Sequence, residues 1–181
     1  LSSDGRYTDL DDTVIGALFK LYPLEDMFAE RFGQALPGSG LRLLEPPWKA
    51  LLSNKGILPL LWERHRGHPN LLPAAFDDGS ALPPGWVRKP LHSRAGANIV
   101  LHLDGCRVLE SDGPYAGPYI RQQAHPLPAF EGRYPMVGSW IVGDSACGIG
   151  IREDDSPITR DSARFLPHAI VEDARPGVLY A

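Results

Sequence analysis

The sequence predicts an α+β fold in which helices come first and antiparallel strands follow. Three observations predict it. Apolar residues recur at helical spacing through the first 85 residues, and two hairpin signatures follow, one turning on Asp-Gly and one on Gly-Asp. Apolar residues make up 43% and charged residues 22%, which supplies the material for a packed core. The 181 residues suit one domain of ordinary size, with sub-lobes expected at roughly 1–85 (helical) and 86–181 (strand-rich).

Within residues 9–32, Val14, Ile15, Leu18 and Leu21 repeat at helical spacing until Pro23 interrupts them, so a helix is expected there, with a second over residues 24–32. Pro37-Gly38-Ser39-Gly40 reads as a loop. A third helix is expected after Ser53, capped by Ser53 or Asn54, with Ile57, Leu58, Leu61 and Trp62 as its apolar stripe and His68-Pro69-Asn70 at its end. Residues 76–85, rich in Asp, Gly and Pro, read as a loop. Residues 86–90 then form a short extended run. A hairpin is expected over residues 98–109 around Asp104-Gly105, because Asp-Gly tolerates the positive φ of a tight turn. Residues 119–123 make another strand, and Gly143-Asp144 turns a second hairpin between residues 139–142 and 149–152. There is no internal repeat and no low-complexity tract.

Charge and cysteine content narrow the function classes. Eighteen basic against 22 acidic residues give a net charge of -4, with no overall basic field for nucleic acid or an anionic membrane. Cys106 and Cys147 make neither a disulfide framework nor a zinc-type spacing, so a cytoplasmic, reducing location is expected. No apolar run has the length of a membrane span, and the start does not read as a signal peptide. The first residue is Leu1 rather than Met, which is compatible with a piece of a longer protein.

Three segments carry possible chemistry. In residues 87–99, Lys89 ends an extended run and a small-residue loop with Arg94 and Gly96 follows before a second strand. That is the layout of a phosphate-covering loop, where small side chains let backbone N–H groups approach and the cations neutralise charge. It lacks the Gly-Lys-Ser/Thr of a P-loop, and on composition alone a solvated hairpin loop is the favoured reading. Lys55 falls in the first turn of the expected third helix, against the helix dipole, which suits an anion there or a plain surface lysine. In residues 148–159, Arg152 has the planar fork for phosphate or carboxylate. Glu153, Asp154 and Asp155 offer oxygens to Mg²⁺, although a charged strand end is the better reading of them. Gly143-Asp144-Ser145 resembles a serine-protease nucleophile motif but lacks the following glycines and a base, so a turn is expected. The six histidines show no metal spacing, and the four tryptophans are expected in the core or in pocket walls.

Read together, these motifs form a series. Glu45-Pro46-Pro47-Trp48-Lys49, then Ser53-Asn54-Lys55-Gly56-Ile57-Leu58-Pro59-Leu60-Leu61-Trp62, then His68-Pro69-Asn70-Leu71-Leu72 occur in order. Lys89-Pro90-Leu91, Arg94 with Gly96, Asn98, Gln122-Gln123 and Gly150-Ile151-Arg152-Glu153-Asp154 follow. The series resembles the C-terminal half of the glutathionylspermidine synthase family, most of all its stand-alone bacterial members without an amidase domain, over residues 19–168. The resemblance implies a partial ATP-grasp fold and an ATP-dependent, Mg²⁺-using carboxylate–amine ligase that works through an acyl phosphate. Its partners would be ATP, a small-molecule or peptide carboxylate and an amine, with no nucleic acid or membrane. By the same resemblance Lys55 and Lys89 contact the nucleotide phosphates, and Arg94 with Ala95, Gly96, Ala97 and Asn98 forms the lid over them. Gln122, Gln123, Ala124 and His125 meet adenine, Arg152 lies near the transferred phosphate, and Pro157, Ile158 and Thr159 form a further nucleotide-contacting stretch. Arg94 and Arg152 take the catalytic roles. No metal ligand is assigned within this chain, because the family's Mg²⁺ ligands lie upstream of the matched segment. The alternative is a nucleotide-binding accessory module without ligase turnover of its own.

Overall fold

A computed structural model describes residues 1–103 and 107–170. It is α+β, with four short α-helices, two 3₁₀ turns and ten strands among the described residues. The chain divides into two compact units. The first holds residues 1–78, 90–92 and 117–120, and the second holds residues 79–89, 93–116 and 121–181.

In the first unit, strand β1 (Ala17–Phe19) pairs in parallel with β2 (Arg42–Leu44), matching Ala17 to Arg42 and Phe19 to Leu44. This replaces the helix expected over residues 14–21. Gly16 lies inside the apolar repeat and its carbonyl accepts the Arg42 N–H at 3.0 Å, so a distant segment supplies the hydrogen bonding that a local helix would have supplied. Helix α1 (Leu24–Ala29) follows Pro23, whose φ of -60° suits helix entry, and Glu25 and Asp26 in its first turn complement the dipole. Glu30, at φ -102° and ψ 165°, breaks α1 from α2 (Arg31–Ala35). Gly33 is needed at this corner, because a Cβ there would overlap the Met27 carbonyl. Tyr7, Leu24, Met27 and Leu43 form the buried core of this unit, with Ile15, Leu18, Leu36 and Leu41 packed around it. The Tyr7 hydroxyl donates to the Phe32 carbonyl, which satisfies its polar end.

The third helix expected after Ser53 is α4 (Ile57–Arg64), and a short helix outside that expectation, α3 (Ala50–Ser53), precedes it. Asn54, at ψ 116°, separates them. Its Oδ1 accepts the Gly56 N–H at 2.8 Å and its carbonyl accepts the Ile57 N–H at 3.1 Å, so Asn54 builds the turn that launches α4 without acting as its side-chain cap. Ser53 instead donates back to the Ala50 carbonyl. Ile57, Leu58, Leu61 and Trp62 are half-buried, as their spacing requires, while Leu60 is exposed. Strand β3 (Ala74–Phe76) lies next to the start of β7 (Tyr119–Gln123), with the Asp77 N–H donating to the Tyr119 carbonyl at 3.0 Å. Ile120 in β7 and Pro90 are the largest fully buried side chains.

In the second unit the order is β7, β4 (Trp86–Pro90), β5 (Val100–His102) and β6 (Val108–Glu110). Residues β5 and β6 pair antiparallel, Val100 to Glu110 and His102 to Val108, as the first hairpin signature predicts. Its turn residues Asp104, Gly105 and Cys106 lie outside the described residues. Val87, Leu101 and Ile158 are the buried core, covered by Ile99, Leu103, Leu109 and Ala124. The second hairpin joins β8 (Tyr134–Val142) to β9 (Ser145–Asp154), and β10 (Arg164–Leu166) adds to the far side of β9. Gly143, at φ 61°, takes the first turn position, where mirror-image hairpin turns favour glycine. The Gly-Asp-Ser motif is therefore a two-residue turn with Val142 facing Ser145. Strand β10 has no counterpart in the sequence reading. Trp62 and Trp86 are half-buried; Trp48 is 59% and Trp140 65% exposed, so neither is a core residue, and Trp140 takes the pocket-wall alternative beside Met136 and Phe165. No described helix is long and apolar enough to cross a membrane.

Because Ile120 has no exposed surface, Ile120→Ala removes packing that no rearrangement of solvent can replace. The expected cost is about 2–5 kcal/mol of stability, read as a lower urea midpoint with an unchanged slope.

Candidate functional site

The residues singled out by the sequence fall mostly in the second unit. Lys89 stands near the end of β4, and Gln122 stands on β7, the neighbouring strand. The Lys89 ammonium donates to Gln122 Oε1 at 3.0 Å. Gln122 is buried at 8% exposure, so its amide is held firmly. An amide oxygen gives the ammonium direction and brings no opposing charge. Gln123 and His125 are exposed and Ala124 packs on the Val87–Leu101–Ile158 core, its N–H donating to the Gly85 carbonyl at 2.7 Å.

Residues 94–98 form a tight loop, with Ala95, Gly96 and Asn98 at φ 51°, 67° and 55°. Only Ala95 and Gly96 are left-handed in succession, in a turn of the kind that can present backbone N–H groups to an anion. The Ala97 N–H donates to the Arg94 carbonyl at 2.9 Å and closes the turn. Ser111 fastens the loop from below, donating to the Gly96 carbonyl at 2.5 Å and accepting the Ile99 N–H at 2.9 Å. The Asn98 side chain is engaged in bracing: Nδ2 donates to the Gly113 carbonyl at 2.9 Å and Oδ1 accepts the Tyr115 N–H at 2.8 Å. From the other side the loop rests on residues 158–159. A Cβ on Gly96 would stand 2.5 Å from the Thr159 carbonyl oxygen and 2.8 Å from Ile158 Cγ2, so only glycine permits this approach.

The segment carrying Pro157, Ile158 and Thr159 is itself tied down by Asp154, at the end of β9. Asp154 is 4% exposed. Its Oδ1 accepts the Ser156 N–H at 3.1 Å and Arg160 Nη2 at 2.5 Å, and its Oδ2 accepts the Arg160 backbone N–H at 2.8 Å. These Arg160 hydrogen bonds hold the Asp154 carboxyl well below the usual carboxylate range, and Asp154 in turn raises the pKa of Arg160. Arg160 also pairs with Asp155, and Arg164 pairs with Glu153. The three acids at this strand end thus face arginines. Among the described residues no group of three or more His, Cys, Asp or Glu is placed to hold a metal ion.

Two further predicted residues have surroundings of their own. Arg152 lies on β9 with its guanidinium 5.8 Å from the centroid of the Phe165 ring, beside an open hollow of about 350 Å³ walled by Met136, Trp140 and Phe165. Lys55 belongs to the first unit. It precedes α4 by two residues rather than occupying its first turn, and its N–H donates to the Leu91 carbonyl at 3.0 Å. The sequence reading missed Asp154 and Arg160 as a pair. Their signal is an Asp followed six residues later by Arg across a Ser-Pro turn.

A chain of helices followed by antiparallel sheets, with this lysine, small-residue loop and strand arrangement, is consistent with part of an ATP-grasp-like fold. The model of the glutathionylspermidine synthase preATP-grasp family matches residues 1–171, and the chain belongs to that family. It is 41% identical over 180 residues to a putative acid–amine ligase of Haemophilus influenzae, covering 94% of this chain and 46% of that protein. It is 30% identical to the trypanothione synthetase of Crithidia fasciculata, covering 97% of this chain and 31% of that one. With the bifunctional glutathionylspermidine synthetase/amidase of Escherichia coli it shares 32% identity, covering 72% and 22%. The chain therefore spans less than half the length of these relatives.

The Asp154 linkage has a defined pH signature. A carboxyl held below its ordinary value of 3.8 contributes stability that is complete above that value and is lost as pH falls through the lowered one. Wild-type protein is expected to lose stability progressively below about pH 4, and Asp154→Asn to be less stable at neutral pH with a flatter acid limb. Urea midpoints measured from pH 7 to pH 2 check this.

Proposed function

We propose that this chain provides the nucleotide-binding part of an ATP-dependent carboxylate–amine ligase. The observation that carries the reading is a lysine directed by the buried Gln122 amide, followed in sequence by a small-residue loop seated on residues 158–159. The names of the relatives support the reaction class, since they are acid–amine ligases or synthetases of the same kind.

On this reading Lys89 and Lys55 neutralise phosphate charge, and Arg94 with Ala95, Gly96, Ala97 and Asn98 closes over the phosphates. Gln122, Gln123, Ala124 and His125 meet the base, and Pro157, Ile158 and Thr159 line the nucleotide. ATP supplies the phosphoryl group that converts a carboxylate into an acyl phosphate, and an amine then displaces phosphate to form the C–N bond. The protein's own task is electrostatic and positional, because the reaction brings two anions together and fixed cations lower that barrier. Arg152, with its planar fork, suits the charge that develops at the transferred phosphoryl group. A closed lid keeps water from the activated acid. Magnesium bound to the phosphates would assist. The resemblance puts its ligands upstream of the matched segment; within it, Glu153, Asp154 and Asp155 face arginines. The second reading is a nucleotide-binding module that turns over nothing by itself.

Thermal unfolding with ADP separates binding from its absence. A nucleotide at about a hundred times its dissociation constant stabilises a binder by roughly 2.7 kcal/mol. The expected result is an upward shift in Tm for wild type that Lys89→Ala abolishes. No shift in well-folded wild type would sink the nucleotide reading. ADP release that depends on added amine distinguishes the ligase from the accessory module.

A further inference from the structure

The bracket made by Asp154 has no role in the reading so far, and its geometry gives it one. One buried carboxylate grips both ends of a five-residue segment, at Ser156 N–H and at the Arg160 backbone and guanidinium. Between those ends Ile158, 6% exposed, plugs the core beside Val87 and Leu101. The Thr159 carbonyl is thereby fixed against Gly96. The height of the seat, and so the position of the loop carrying Arg94, follows from where the carboxylate holds the segment. Ser111, the Asn98 side chain and the Asp112 carbonyl hold the loop at its other contacts, and the 158–159 segment adds the close backbone approach at Gly96.

We propose that Asp154 and Arg160 are positioning residues for the nucleotide site: they hold residues 157–159 as the seat on which the 94–98 loop closes. The proposal rests on the nucleotide reading above. Neither residue touches the nucleotide; each acts through the seat. An amide at 154 keeps the shape but lacks the charge that draws in the guanidinium, and Gln at 160 removes the fork.

The test titrates ADP into the purified chain as wild type, Lys89→Ala, Asp154→Asn, Arg160→Gln and Ile120→Ala. Hydrogen exchange of the 94–98 amides is measured on the same samples without nucleotide. Both bracket variants are expected to weaken ADP at least tenfold and to speed exchange of the 94–98 amides at least tenfold. Ile120→Ala, a core truncation outside the bracket, should weaken ADP less than either bracket variant and leave exchange at 94–98 unchanged, and Lys89→Ala should lose ADP without altering exchange. If Asp154→Asn does not fold, Arg160→Gln decides, since its side chain is 44% exposed and its loss is tolerable. Folded bracket variants with wild-type exchange at 94–98 would overturn the proposal. Altered exchange in a wild-type background that binds no ADP would leave the seat standing and reject the nucleotide reading. Bracket variants no weaker for ADP than Ile120→Ala would show a purely structural pair and overturn the positioning role.

Discussion

The second unit is organised around one buried charge. A carboxylate taken out of water is unfavourable unless it is fully hydrogen-bonded and paired, and Asp154 is both. Having met that requirement, it fixes everything attached to it. The end of β9 is locked, the following segment cannot drift, Ile158 enters the core, and the 94–98 loop finds a rigid surface. Three left-handed residues in that loop would be costly in an unsupported turn, particularly at Ala95, which has a Cβ. Support from Ser111, from the Asn98 amide and from residues 158–159 holds the shape in place.

Much of this was legible from the residues. Both hairpins announce themselves through a turn dipeptide between β-rich runs, and the strands follow in the expected places. The loop after Lys89 and its small residues also stand out, because close backbone approach demands small side chains. The helix expected over residues 14–21 fails for an instructive reason. Two turns of apolar periodicity with Gly16 inside them have little intrinsic helicity, and a distant strand offered hydrogen bonds that local spacing cannot reveal. Lys55 lies just ahead of its helix because Asn54 makes a turn with its own side chain, and a residue of that kind serves caps and turns alike.

Asp154 escaped notice for a related reason. Three consecutive acids read as a solvated surface, and nothing local distinguishes the one that turns inward. Burial belongs to the sheet: Asp154 sits opposite Tyr134 in the register of β8 and β9, at the strand end from which the chain folds back toward Arg160. The exposed tryptophans make the converse point. Trp48 and Trp140 are large apolar groups that a core would welcome, yet both are exposed, Trp140 on the wall of an open hollow. The relatives are at least twice as long as this chain.

The β8–β9 hairpin also sets an order of assembly. Its pairing is sequence-local and begins at the two-residue Gly143-Asp144 turn, so the first contacts close small loops and form within microseconds. Counted outward from that turn, the register passes the irregularity at Trp140 and Ile141 and comes to Tyr134 and Asp154 last. The carboxylate on which the seat depends thus stands at the open end of the ribbon, where fraying would leave the segment beyond it without an anchor.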